Sequence, residues 1–135
     1  MSDRARSRTA IIAGAILKGS SALLALALLV QAFTAGMAAI TDPSWWEIHL
    51  SWVHAFQWLA IAVTASGAWA DVPRRTKWAS AVPLALIGLQ YVLAHRGIEG
   101  SLPIGLGLHA VNAMVLFAVT ARVAATAWDG GAGRT

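Results

Sequence analysis

Four runs of apolar residues, each close to the length that crosses a bilayer, leave this chain few ways to fold. Crossing about 30 Å of hydrocarbon takes roughly 20 helical residues. Runs of that kind lie at about 16–37, 46–69, 78–94 and 102–121. Only 12% of the 135 residues are charged, against about 25% in a soluble domain, so the chain cannot clothe a water-facing surface. Thr41-Asp42-Pro43-Ser44, Asp71-Val72-Pro73-Arg74-Arg75 and Arg96-Gly97-Ile98-Glu99-Gly100 supply turn chemistry between the runs. The expected fold is all-α, an integral membrane four-helix antiparallel bundle over 16–128. An N-terminal tail (1–15) and a flexible Gly-rich tail (129–135) flank it. Ser44 and Glu47 have the spacing of a capping box at the second span. Pro83 is expected to kink the third. No internal repeat is evident.

Lys and Arg placement sets the orientation. Arg4, Arg6, Arg8 and Lys18, then Arg74, Arg75 and Lys77, then Arg122 and Arg134 fall on one side, and Arg96 alone on the other. The positive-inside rule therefore puts both termini in the cytoplasm of a multi-pass cell-membrane protein. The apolar run from Gly19 exceeds the 7–15 residues or so of a signal-peptide core, which argues against cleavage after Ala39. Although the net charge is +4, the basic residues form short clusters between spans. They make no stripe, and a nucleic-acid partner is not expected. With no cysteine, thiolate metal sites, iron–sulfur clusters and c-type haem attachment are excluded.

Polar side chains within the spans carry the functional signal, since burying them in hydrocarbon is costly. Gln31 lies 13 residues from Lys18, Gln90 lies 13 from Lys77, and His109 lies 13 from Arg122. At 1.5 Å per residue, each stands about 20 Å above its basic anchor. His54 lies 15 residues from Trp69, about 22 Å by the same rise. Gln31, His54, Gln90 and His109 should therefore share one level in the outer half of the membrane, with Gln57 and Asn112 one turn away. Two imidazoles at one depth suit the axial positions of a b-type haem. His54 and His109 are the expected ligands, with Gln31, Gln57, Gln90 and Asn112 orienting them. His49 is rotated about 140° from His54 and is the alternative ligand should the depth estimate be off by a turn. Arg96 could pair with haem propionates. Trp58 could pack on a bound ring.

Other readings of the same layer stay open. One is that hydrogen-bonded polar residues only fix helix register in a non-catalytic scaffold or accessory subunit, and another is that the layer binds a quinone or lipid. A redox or membrane-complex partner is left undefined. Nucleophile–base pairs, phosphate loops and HExxH zinc motifs are missing, so no hydrolytic or transferase chemistry is expected.

The stretches WWEIHLSWVHAFQWLAIAV and GLGLHAVNAMVLFAV resemble two helices of an uncharacterised family of small bacterial four-helix membrane proteins, defined as a domain of unknown function. More distantly, Leu108-His109-Ala110-Val111-Asn112-Ala113 is similar to the LHxxxA helix of membrane b-haem proteins such as haem A synthase. That resemblance implies haem ligation by His109 with His54 or His49 as partner. The chain is a single four-helix unit without the second bundle of that enzyme, so the resemblance implies no particular reaction.

Overall fold

The computed structural model describes residues 3–132, with side chains from Ser7 to Asp129. The chain forms four helices, α1 (Asp3–Ile40), α2 (Trp45–Trp69), α3 (Arg74–Ile98) and α4 (Gly105–Ala132). Each contains a stretch long and apolar enough to cross a membrane. All four outrun their apolar cores. The basic segment before residue 16 is helical from Asp3, and α4 runs on to Ala132. The side chains of Arg4 and Arg6, and Arg134 altogether, lie outside the described residues.

Short connections force neighbouring helices to run antiparallel, and the helices pack in a ring: α1 on α2, α2 on α3, α3 on α4 and α4 on α1. The diagonal pairs do not touch backbone to backbone. Leu17, Leu24, Val63, Leu116 and Val123 are fully enclosed along the axis. Leucines, tryptophans and Met114 point outward, as expected of a protein whose outer solvent is lipid.

One local expectation is corrected. Ser44 has helical backbone angles and makes no side-chain cap bond. Asp42 caps this turn instead, its Oδ1 accepting the Ser44 N–H at 2.9 Å. That hydrogen bond, with a second from the Ser44 side chain, holds the Asp42 carboxyl below the usual carboxylate range. Pro83 is fully buried and lies inside α3, which continues across it.

A repeat that the sequence hides is plain in three dimensions. Residues of α1 correspond to residues 59 further on in α3, and residues of α2 to residues 60 further on in α4. Ser21 and Ser80, Leu24 and Pro83, Leu28 and Ile87 are buried in pairs. So are Phe56 and Leu116, Ala60 and Thr120, Val63 and Val123. The ring of contacts maps onto itself when one hairpin is exchanged for the other. The two hairpins thus repeat one another's burial pattern and order of neighbours. Most of the paired residues differ, because burial asks only for apolar volume, so the repeat is faint in the letters.

The two hairpins meet most closely where α2 crosses α3. A Cβ on Gly67 would run into the Oγ and Cβ of Ser80, and Ser80 is fully buried with its hydroxyl donating to the Lys77 carbonyl at 2.7 Å. Nearby, Thr64 Oγ1 donates to the Ser80 carbonyl at 3.0 Å. Gly67→Ala should therefore destabilise the bundle by about 1–3 kcal/mol, although helix propensity alone favours alanine. Adding Ser80→Gly should restore part of the loss. Thermal unfolding in detergent of the two single variants and the double variant checks this.

Candidate functional site

The histidine and amide side chains of the spans gather near the end of the bundle that carries the α1–α2 and α3–α4 loops, and His49 and His109 head two clusters of one design. In the first, His49 of α2 turns inward against α1, and only 9% of it is exposed. Its Nδ1 lies 3.2 Å from the Gln31 carbonyl oxygen and 3.2 Å from Thr34 Oγ1. Thr34 spends its own proton on the Gln31 carbonyl at 2.9 Å. With only acceptors around it, Nδ1 carries the hydrogen, and Nε2 bears the lone pair. The Gln31 side-chain amide donates to that lone pair at 2.9 Å.

In the second cluster, His109 of α4 packs on α3, and its Nδ1 lies 3.1 Å from the Gln90 carbonyl oxygen. The same logic puts the proton on Nδ1 and the lone pair on Nε2. Here the Gln90 side chain is engaged elsewhere, its Oε1 accepting from Asn112 Nδ2 at 2.6 Å. Asn112 also donates to the Leu86 carbonyl at 2.9 Å. Trp52, its counterpart in the first hairpin, donates from Nε1 to the Ala27 carbonyl at 2.9 Å. Ala27 and Leu86 are themselves a matched pair, 59 residues apart. Each hairpin is therefore pinned twice, one turn apart, by side-chain donors from its second helix to main-chain carbonyls of its first.

This arrangement corrects the expected pairing. His54 is exposed and matches Met114 in the other hairpin, which is 73% exposed. Its ring lies 6.1 Å from that of Tyr91, on the outer side of the α2–α3 contact. Gln57 belongs to the same outer group: its Nε2 donates to the His54 carbonyl at 3.2 Å and its Oε1 accepts from Tyr91 at 3.2 Å. Trp58 is 66% exposed. His49, five residues before His54, takes the place expected of His54, because Trp69 marks an interface only loosely and apolar residues flank both histidines. His49 is thus the interior imidazole of α2.

Arg96 is exposed and lines a surface groove of about 390 Å³ with Tyr91, Val92 and His95. His95 Nε2 contacts Glu99 Oε1 at 3.0 Å one turn on. A larger groove of about 460 Å³ opens between α1 and α2, lined by apolar side chains such as Leu26, Val30 and Leu59, with Trp52 at one wall. Neither His49 nor His109 lines either groove. Among the described residues, no cluster of three or more His, Asp or Glu could hold a metal ion.

The Asn112 amide serves two acceptors at once, and its loss would strand both in a water-free interior. Asn112→Leu should cost about 1–2 kcal/mol, while His54→Ala, at the lipid face, should cost under about 0.5 kcal/mol. Denaturant titration in mixed micelles measures both.

Residues 31–97, from Gln31 through α2 to the end of α3, match a family of unknown function (DUF6220). No curated protein and no solved structure matches the chain.

Proposed function

We propose, for a chain whose central segment falls in a family without an assigned function, that this multi-pass membrane protein carries a b-type haem between His49 and His109 and serves electron transfer or haem handling. The observation that carries the reading is the matched pair of imidazoles on diagonal helices. Each has its Nδ1–H bound to a main-chain carbonyl, which fixes the ring and leaves Nε2 as the ligating atom. The donor set suits this group and not a bare ion. A structural or catalytic metal ion needs three or more protein ligands, whereas a porphyrin supplies four nitrogens of its own and asks the protein for two. When bound, haem would supply one-electron redox chemistry. The chain's own residues would set ring orientation through Gln31 and Gln90, hold the two hairpins in register through Trp52 and Asn112, and keep water out with the apolar layer beneath.

A second reading has its own support. The open grooves lie away from the imidazole pair, so a macrocycle would have to part the hairpins to enter. If the polar layer serves only to lock helices together, the protein is a scaffold or accessory subunit.

Absorption spectroscopy of the haem-replete, detergent-purified protein separates the two. A Soret band should be present, should be lost in the His49→Ala, His109→Ala double variant, and should survive His54→Ala. No Soret band at any haem loading leaves the scaffold reading, and quinone in the lipid extract without Soret absorption would indicate quinone binding.

The orientation belongs to the same proposal, with both termini in the cytoplasm. Because the chain has no cysteine, single substitutions report topology cleanly. In intact cells a membrane-impermeant maleimide should label Thr41→Cys and spare Asp71→Cys.

A further inference from the structure

The two clusters share a design but differ at the glutamine side chain, and that difference follows from Trp52 standing where the second hairpin has Asn112. In the second hairpin Asn112 gives Gln90 Oε1 a donor, which draws that side chain off the imidazole. Position 52 is Trp, whose only donor is already committed to the Ala27 carbonyl. The Gln31 side chain thus has no amide to receive it. Its nitrogen turns to His49 Nε2, and its Oε1 is left buried without a partner, one of two such atoms among the described residues. A buried acceptor without a donor is disfavoured, so this orientation persists because the bond to Nε2 holds it.

We propose that Gln31 is a latch on His49, which makes the two symmetric imidazoles inequivalent: His109 keeps its Nε2 lone pair free, and His49 offers its own only when the Gln31 amide swings away. Resting on the haem reading above, this makes His109 the standing ligand and His49 the conditional one. Gln31 is a positioning residue, acting on a bound group only through His49.

Gln31→Leu removes the latch at nearly constant volume. Gln31→Glu keeps the shape but offers only acceptors, so His49 Nε2 takes up a proton and loses its lone pair. The latch is read first without any cofactor, by the imidazole nitrogen resonances of labelled protein in micelles. In the wild type, His49 Nε2 should show the shift of a hydrogen-bonded acceptor and His109 Nε2 that of a free one. Gln31→Leu should move the His49 resonance to the free position and leave His109 in place. Equal Nε2 shifts for the two histidines in the wild type, or an unmoved His49 in Gln31→Leu, would overturn the proposal. Haemin titration then reads the consequence. Gln31→Leu should bind roughly three- to fifteen-fold more tightly, the range set by one interhelical hydrogen bond, with a larger low-spin fraction. Gln31→Glu should lower that fraction. A latch seen by resonance, with no Soret band in any variant, would count against the haem reading and leave the inequivalence of the histidines standing.

Discussion

A hydrogen-bond donor inside a hydrocarbon slab has no water to turn to, and the whole upper half of this bundle is arranged around that fact. Each interior imidazole finds its acceptor in the main chain of the neighbouring helix, at Gln31 for His49 and at Gln90 for His109. A main-chain carbonyl cannot rotate away or change its height. Binding to it therefore fixes the second helix of each hairpin against the first in both rotation and translation. One turn below, Trp52 and Asn112 repeat the anchorage at Ala27 and Leu86. Two fixed points define a line, and the apolar faces beneath come into register as a result: Phe56 and Leu116, Ala60 and Thr120, Val63 and Val123.

At the other end the contacts are of a different kind. Lys18 sits over the Trp128 ring at 5.5 Å, and Lys77 reaches the Ala68 carbonyl at the end of α2 at 3.4 Å. Both are long side chains working near an interface, where ammonium groups can keep water. The close α2–α3 crossing at Gly67 and the hydroxyl bonds of Ser21, Ser66 and Ser80 let the backbones approach here without large side chains. Small residues do the packing that imidazole and amide groups do at the opposite end.

The letters of the sequence reveal the spans and the depth of the polar layer, because length and charge placement follow directly from bilayer thickness. They do not directly reveal which side of a helix faces inward. His49 and His54 are both flanked by apolar residues, and in a membrane the outward face is apolar too, so the contrast that marks a buried stripe in a soluble helix is gone. The signal that could have resolved the choice was the spacing between hairpins. Lys18 with Lys77, Ser21 with Ser80, and Gln31 with Gln90 share an offset of 59, and His49 with His109 an offset of 60. His54 falls opposite Met114 in that alignment, a residue with no reason to face a polar layer. Cap chemistry is ambiguous in the letters for a simpler reason: Asp42 and Ser44 are both capping residues, and the turn has room for one.

The short link of residues 70–73 is the single covalent tie between two units that each close on themselves. The bonds of His49 and His109 stay inside one hairpin each, whereas the two hairpins meet through the buried apolar seam and a few side-chain bonds, among them Thr64 to the Ser80 carbonyl and Tyr91 to Gln57. An isolated half would keep its own pins yet bare its inner face, so the link holds the two inner faces together at high effective concentration.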